Sequence, residues 1–230
     1  MRALLVLALL LAPLAGCLSG GGGSLSVAAS APRTADHLQI QALLTGGSPY
    51  TGEGTFVVRS GARQVFPVAG EARISFVDGS AVTTVPYREF VTQNGQYTVV
   101  VSARGATGQA STDVLKVIDS LRVIARYDAD DRELSIDVNF LAGAAGPPQT
   151  PVLTTGNATI EVFNASREAR YTRTVAVDEP SFGFADTVAR EAFFQGEGDY
   201  KVQVTFVNAH ARGNTVANDP FFRADVANVR

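Results

Sequence analysis

The sequence predicts an all-β protein in which two antiparallel β-sandwich domains follow one another behind a short N-terminal segment. Three observations carry this prediction: apolar and polar residues alternate with a period of two in short runs, turn-forming residues separate those runs, and the whole pattern occurs twice. Hydrophobic residues make up 46% and charged residues 18% of the 230 residues, which is a globular composition. The length suits one or two domains, each with its own core.

The second half of the chain repeats the first half in order. Residues 24–27 match residues 120–123, and residues 38–42 match residues 134–138 at the same offset of 96. Three more matches follow, and they pair residues 72–76 with 158–162, 95–99 with 198–202, and 113–117 with 225–229. These ordered matches indicate a tandem duplication with its boundary near Asp119. The predicted domains are therefore residues 25–118 and 119–230.

Each half contains runs that predict strands with one apolar face. The alternating apolar positions are Leu38, Ile40, Ala42 and Leu44 in the first half, and Leu134, Ile136, Val138 and Phe140, then Tyr200, Val202, Val204 and Phe206, in the second. Successive residues of a strand point to opposite faces, so this period predicts one buried face for each strand. Turn residues separate the runs at 46–49, 78–80, 94–95, 146–148 and 197–199. Short strands at this spacing favour β-sandwiches.

The stretches 95–101 and 198–204 share the pattern Gly-x-Tyr-x-Val-x-Val. This pattern resembles the penultimate strand of immunoglobulin-like, fibronectin type III and PKD domains. The resemblance implies that Tyr97 and Tyr200 each donate a hydrogen bond back to a neighbouring turn and serve the fold. The tryptophan and paired cysteines of true immunoglobulin domains are absent, as is the PKD signature, so the resemblance is to the broad immunoglobulin-like group.

The N-terminus has the features of an export signal. Met1-Arg2 leads into an apolar run of about ten residues, too short to span a bilayer core of about 30 Å. The following Leu14-Ala15-Gly16-Cys17 resembles the lipobox of bacterial and archaeal lipoproteins. That resemblance implies a cleaved signal peptide, residues 1–16, and a lipid on Cys17. The alternative is an ordinary secretory signal with an unrelated cysteine.

Residues 17–24 predict a flexible tether between the lipid and the first domain. They are rich in glycine and serine, and Cys17 is the only cysteine of the chain, so it has no disulfide partner. The expected location is extracytoplasmic, on the cell membrane. In a bacterium with two membranes, Leu18 in place of aspartate resembles the pattern for sorting to the outer membrane; an archaeal host would remove that inference.

The sequence offers few residues for catalysis or cofactors. His37 and His210 are the only histidines, and no serine lies in a Gly-x-Ser-x-Gly context, so we expect no enzyme and no cofactor. Zinc-ligand spacing is absent. Asp128, Asp130 and Asp131 form an acidic cluster that is a weak candidate for Ca²⁺, and an acidic turn between two strands is the alternative.

The distribution of charge bears on the partners of the protein. The first half, residues 24–118, carries 7 basic and 6 acidic residues, and the second half, residues 119–230, carries 11 and 16. Neither half has a basic stripe, so nucleic acid is not an expected partner. Two triplets that begin at Asn157 and Asn164 fit the N-glycosylation pattern, which matters only in a glycosylating host.

Phenylalanines and an insertion distinguish the second half. Adjacent phenylalanines cannot both point inward on a regular strand, so Phe194 and Phe221 are candidates for a binding surface. The insertion at residues 142–155 lengthens a loop of the kind that carries binding sites. The chain has no tryptophan, which disfavours a module that stacks sugars on flat rings. The sequence thus favours a surface binding or adhesion module that acts through its second, distal domain on an extracellular protein or polymer partner; a structural spacer is the alternative.

Overall fold

The computed structural model describes residues 23–143, 149–164, 166–196, 198–218 and 228–229. The expected signal peptide with Leu14, Ala15, Gly16 and Cys17, and the candidate Phe221, lie outside these ranges. Strands account for 66% of the chain and helices for 4%, which confirms the all-β prediction. Within the described ranges, no helix has both the length and the apolar character needed to cross a membrane.

The first half is a sandwich of two antiparallel sheets. Its elements are β1 Ser24–Ser30, β2 His37–Thr45, β3 Gly52–Ser60, β4 Arg63–Phe66, β5 Ala72–Phe76, β6 Ser80–Pro86, the single-turn helix α1 Tyr87–Phe90, β7 Gly95–Ala103 and β8 Ala106–Val114. One sheet has the order β1-β2-β6. The other has the order β4-β3-β7-β8, with β5 also paired to β3.

The second half is built in the same way. Its elements are β9 Ser120–Asp128, β10 Glu133–Ala142, β11 Thr150–Pro151, β12 Thr154–Phe163, β13 Ala169–Ser181, β14 Gly183–Ala189, the helix α2 Arg190–Phe193, β15 Gly198–Asp199, β16 Lys201–Asn208, β17 Thr215–Ala217 and β18 Asn228–Val229. Strand β10 pairs with β9, β11 and β14, and the opposite sheet has the order β13-β12-β16-β17. These paired sheets give the second half an immunoglobulin-like sandwich as well.

Pairing partners show which strands of the two halves are equivalent. Strands β9, β10, β14 and β16 occupy the places of β1, β2, β6 and β7. The sequence match of residues 72–76 with 158–162 is wrong, because the first range forms β5 whereas the second lies in β12, whose place in the first half belongs to β3. Half-buried strands share the same alternation, so a short apolar pattern can align strands that are not equivalent.

The match near the ends of the halves is shifted by three residues. In the first half Val114 lies opposite Gly95, and in the second half Val229 lies opposite Gly198. Val229 is therefore equivalent to Val114, whereas the sequence match pairs it with Val117.

Two hydrophobic clusters form the cores, one in each half. The alternating residues Leu38, Ile40, Leu134 and Ile136 are almost fully buried, as the period of two predicts. Val117 belongs to the cluster of the first half, and the next residue, Ile118, belongs to that of the second. The change from the first core to the second therefore falls between Val117 and Ile118. This is one residue before the predicted domain boundary, which lies between Ile118 and Asp119.

A tyrosine closes the same turn in both halves. The hydroxyl of Tyr97 donates a hydrogen bond of 2.7 Å to the carbonyl oxygen of Gln93, and that of Tyr200 donates one of 2.9 Å to Gly196. The rings of Phe90 and Phe193, which end α1 and α2, meet these tyrosine rings edge to face at centroid distances of 5.3 and 5.2 Å. The two tyrosines thus have the role that the immunoglobulin-like resemblance implies.

Candidate functional site

The segment that joins the two halves is held from both sides. From the first half, the Asn94 side-chain oxygen accepts the N–H groups of Lys116 and Val117 at 2.9 and 2.8 Å. From the second half, Asn214 exchanges two hydrogen bonds of 2.9 Å with the backbone of Ile118. An asparagine side chain offers both a hydrogen-bond donor and an acceptor, as a backbone peptide group does. It can therefore pair with the N–H and C=O groups of a connecting segment that lies in no sheet.

Further contacts across the halves surround this segment. Asn208 is buried, and its amide donates 2.6 Å to the carbonyl oxygen of Lys116. The N–H of Arg212 donates 2.7 Å to the carbonyl oxygen of Val91, and Ala211 lies in the hydrophobic cluster of the first half. We call this region, residues 116–118 with Asn94, Asn208 and Asn214, the junction. Its hydrogen bonds hold the two sandwiches in one relative orientation.

Lys116 is the most unusual residue of the junction. Its side chain is 2% exposed, and Nζ donates 2.6 Å to the carbonyl oxygen of Arg33 and 3.1 Å to that of Leu153. Nζ also lies 5.3 Å from the centroid of the Tyr87 ring. Burial removes the hydration of the ammonium and lowers the pKa of Lys116 to about 8, although the negative charge of Asp36 opposes this.

Two other titratable groups are buried beside Lys116. Burial, together with the positive charge of Lys116, lowers the pKa of His210, whose Nε2 lies 3.1 Å from the Thr155 hydroxyl. Burial also raises the pKa of Tyr87. Within the described chain, neither His210 Nδ1 nor the Tyr87 hydroxyl has a hydrogen-bond partner. His37, by contrast, is exposed and bonds Asp36 at 2.8 Å.

An open groove of about 470 Å³ lies next to the junction. The first half contributes Arg33, and the second half contributes Arg122, Asn139, Gln149 and Phe182 among others. Lys116 connects the backbone of Arg33, which lines the groove, to that of Leu153, two residues after the groove residue Pro151. The groove is therefore formed by both domains and depends on the geometry of the junction.

Strand pairing places the side chains of the groove floor. Arg122 on β9 lies opposite Asn139 on β10, which in turn lies opposite Gly183 on β14. A side chain at Gly183 would overlap the carbonyl oxygen of Val138, so only glycine allows this close pairing. Phe182 stands immediately before β14, and its carbonyl oxygen accepts the N–H of Phe140 at 2.8 Å.

The groove presents apolar surface and positive charge to solvent. The Phe182 side chain is 46% exposed. Arg33 and Arg122 are exposed, and neither takes part in any ion pair among the described residues. The amide of Gln149 donates 3.2 Å to the Ser120 hydroxyl, which orients its oxygen. Such a surface can bind a ligand that carries negative charge, hydroxyl groups and some apolar area.

The residues singled out in the sequence occupy different places. The Asp128 side chain accepts the N–H groups of Asp130 and Asp131 at 2.9 and 3.2 Å and so closes the turn between β9 and β10. No group of three His, Cys, Asp or Glu in the described part of the chain is placed to hold a metal ion. The acidic cluster thus acts as a turn in this structure.

Phe194 contributes to the edge of the core. Its neighbour Phe193 is buried, whereas Phe194 is half-buried, lies 6.3 Å from the Tyr200 ring and is covered by the Arg190 guanidinium at 3.6 Å. Phe182 is the most exposed phenylalanine in the described part of the chain. Phe182 directly precedes Gly183, the glycine that begins β14, and so lies outside the regular alternation of a strand. This position in the sequence could have indicated the exposure of Phe182.

Residues of the insertion and of the two glycosylation triplets take part in the fold. Val152 and Thr154, inside residues 142–155, are fully buried, and Thr154 donates 2.7 Å to Asn208. The described residues of the insertion therefore include β11 and the start of β12 and contribute to the core. Asn157 is exposed on β12, and Asn164 closes the turn before β13 by accepting the N–H of Glu168 at 3.0 Å.

Three solved structures show a distant likeness to the chain. No family model matches the chain. No curated protein matches it either. Among solved structures it is similar to a "Biofilm associated protein - BSP domain" at 14% identity, with a TM-score of 0.27, over 86% of this chain and 28% of that chain.

Two further solved structures show comparable likeness. Trypsin-activated alpha-2-macroglobulin from Escherichia coli is 9% identical, with a TM-score of 0.31, over 87% of this chain and 16% of that chain. Red sea bream transglutaminase is 13% identical, with a TM-score of 0.28, over 85% of this chain and 30% of that chain. The chain spans less than a third of the length of each of these three structures. Likeness of this degree does not carry a function to this chain.

Proposed function

We propose that the protein is a membrane-anchored surface lipoprotein that acts as a non-enzymatic binding or adhesion module. The observation that carries this proposal is the groove beside the junction, where exposed Phe182 and two arginines without ion-pair partners among the described residues face solvent. Aromatic side chains and arginines are enriched at binding surfaces. The partner is an extracellular protein or polymer.

The anchor is proposed from the sequence. Leu14-Ala15-Gly16-Cys17 resembles a lipobox, so the signal peptide is removed, Cys17 carries acyl chains such as palmitate, and the protein lies on the extracytoplasmic side. The glycine-rich residues 18–24 span at most about 25 Å. The tether therefore keeps the first sandwich close to the lipid surface and leaves the second farther from it.

The junction supports binding because it fixes the groove in advance. Arg33 belongs to the first domain and Arg122 to the second, so free rotation between the domains would separate them. The contacts of Lys116, Asn94, Asn208 and Asn214 remove that freedom before any ligand arrives. A preformed site loses less entropy on binding than one that must be ordered by its ligand.

The alternative function is a structural spacer without a ligand site. One substitution in the groove distinguishes the binding module from the spacer. Asn139→Trp places an indole in the groove floor, whereas Val207→Trp adds the same side chain at an exposed position on β16 outside the groove. The full chain in non-ionic detergent is mixed with envelope fractions, and the bound protein is measured by sedimentation.

We expect Asn139→Trp to reduce envelope binding by about tenfold or more and Val207→Trp to leave it within twofold of the wild type. Thermal melts establish that both variants are folded. Equal binding by the wild type and both variants would make the spacer the better description, and no groove ligand would then be needed.

A further inference from the structure

We infer that the groove binds an acidic polysaccharide, with sugar carboxylates held by Arg33 and Arg122. This inference deepens the proposed function and rests on it. It assigns a ligand class to the groove from the charge, the polar groups and the backbone of its lining.

The charge of the groove selects an anion. Arg33 and Arg122 line the same groove, both are exposed, and no carboxylate among the described residues forms an ion pair with either. A guanidinium offers paired N–H donors that match the two oxygens of a carboxylate. Arg33 belongs to the first half, which carries 7 basic and 6 acidic residues, and Arg122 to the second half, which carries 11 and 16, so the groove lining is more basic than either half as a whole.

The remaining groups of the groove match a sugar. Asn139 and Gln149 offer amide donors and acceptors, and Thr150 offers a hydroxyl, all of which pair well with sugar hydroxyls. Because the chain has no tryptophan, stacking of a sugar ring in this groove rests, among the described residues, on the exposed side chain of Phe182 alone, and the carboxylates supply the main attraction. The groove is open to solvent, so its ligand need not be enclosed.

The backbone argues against an extended acidic peptide. Such a peptide would bind most readily by adding a strand to the short edge strand β11, Thr150–Pro151, through main-chain hydrogen bonds. Pro151 has no N–H to donate and restricts that pairing. Main-chain pairing of a peptide is therefore restricted at Pro151, while the side chains of the groove can bind hydroxyls and carboxylates.

The test measures binding of the full chain, in non-ionic detergent, to immobilised polygalacturonate at fixed salt. Methyl-esterified polygalacturonate has the same sugar backbone without charge and serves as the matched ligand control. Poly-glutamate serves as the acidic polypeptide. The variants are Arg33→Gln, Arg122→Gln and Phe182→Ala, and Arg63→Gln on exposed β4 is the matched protein control.

We expect methyl esterification to weaken binding at least tenfold. Arg33→Gln and Arg122→Gln should each weaken it by about ten- to a hundredfold, as for loss of a charged hydrogen bond. Phe182→Ala should weaken it severalfold, and Arg63→Gln should leave it unchanged. Binding should also fall as salt rises, because exposed charges are screened.

Three results would overturn the inference. The esterified polymer could bind as well as the charged one, the two groove arginines could matter no more than Arg63, or poly-glutamate could bind equally tightly with the same dependence on the arginines. The last result would assign the groove to an acidic protein.

Envelope binding that still depends on Asn139, without polygalacturonate binding, would reject the ligand class and keep the proposed function. Envelope binding insensitive to Asn139→Trp would reject the proposed function itself.

Discussion

The Nζ atom of Lys116 donates a hydrogen bond of 3.1 Å to the carbonyl oxygen of Leu153 and so ties the two domains together through a buried charge. Its second acceptor, the carbonyl oxygen of Arg33, is 2.6 Å away. A buried ammonium loses its hydration, and two carbonyl oxygens with a tyrosine ring replace it only in part. The junction therefore combines a precise geometry with a cost in stability.

The first prediction follows from the pKa of Lys116, which burial lowers from 10.5 to about 8 in the folded protein. Between these values the unfolded chain binds more protons than the folded chain, so the free energy of unfolding rises with pH, by at most about 1.4 kcal/mol per pH unit. The raised pKa of Tyr87 acts in the opposite direction above pH 10, where the unfolded tyrosine ionises first. The measurement is chemical denaturation from pH 7.5 to 9.5.

Two lysine variants control that measurement. Lys116→Met should abolish the rise in stability, whereas Lys201→Met, at the only other lysine of the chain, should keep it. A rise of the same size in both variants would mean that another group titrates.

The second prediction concerns Asn208, whose amide joins the carbonyl oxygen of Lys116, the hydroxyl of Thr154 and the N–H of His210. Asn208→Ala leaves these buried groups without their partner and should cost about 2 to 4 kcal/mol of unfolding free energy. Asn157→Ala removes an exposed amide from β12 and should change stability by less than about 0.5 kcal/mol. Urea denaturation of both variants provides the comparison, and equal losses would contradict a special role for Asn208.

The third prediction concerns the tyrosines that close the repeated turn. Tyr97→Phe and Tyr200→Phe each remove one hydroxyl and should each destabilise the protein by about 1 kcal/mol. Tyr171→Phe, on partly exposed β13, is the control and should be nearly neutral. The melting temperature is the readout. A larger effect of Tyr171→Phe than of the other two would show that these hydroxyls do not support the fold.

The fourth prediction concerns the independence of the halves. Residues 119–230 contain the strands and nearly all of the second hydrophobic cluster, so this fragment should fold alone with a cooperative β-type melt. It should be less stable than the same domain in the full chain, because Ile118 is absent and Ala211 loses its place in the first core. Circular dichroism with heating tests this, and a random-coil spectrum would reject two independent domains.

The fifth prediction concerns the lipid on Cys17. Cys17→Ser cannot form the thioether to the lipid, so the variant should remain unprocessed or be released from the membrane. Mass spectrometry and partition into detergent measure both outcomes. A serine variant that still partitions into detergent with the mature mass of the wild type would exclude lipidation at this position.

Local patterns predicted most of the fold. The buried positions Leu38, Ile40, Leu134 and Ile136 follow directly from an alternation of period two, because neighbouring residues of a strand face opposite sides of the sheet. The tyrosine turns were predicted from the resemblance of the Gly-x-Tyr-x-Val-x-Val stretches to immunoglobulin-like domains, and each tyrosine bonds the carbonyl oxygen four residues before it. The match of residues 72–76 with 158–162 failed because the same alternation occurs in strands that are not equivalent.

The groove and the junction could not be predicted in the same way. The residues around Lys116 in the sequence do not indicate that its side chain is buried. Its acceptors Arg33 and Leu153 are 83 and 37 residues away along the chain. Arg33 and Arg122 belong to different domains and become neighbours only through the orientation that the junction imposes. The sequence made Phe194 a candidate for the binding surface, but its side chain is half-buried in the structure. Phe182 is exposed instead.

By itself, the sequence predicted the β-sandwich architecture, because side chains a few positions apart repeat with the period of a strand. It also predicted the tyrosine turns, through the resemblance of two short stretches to immunoglobulin-like domains. Only the tertiary structure decided that Lys116 is buried, that asparagines from both halves hold the junction, and that a cationic groove lies beside it. These features depend on contacts between residues far apart in the chain. Their energies come from burial and hydrogen bonding between the assembled sandwiches, which no local period encodes.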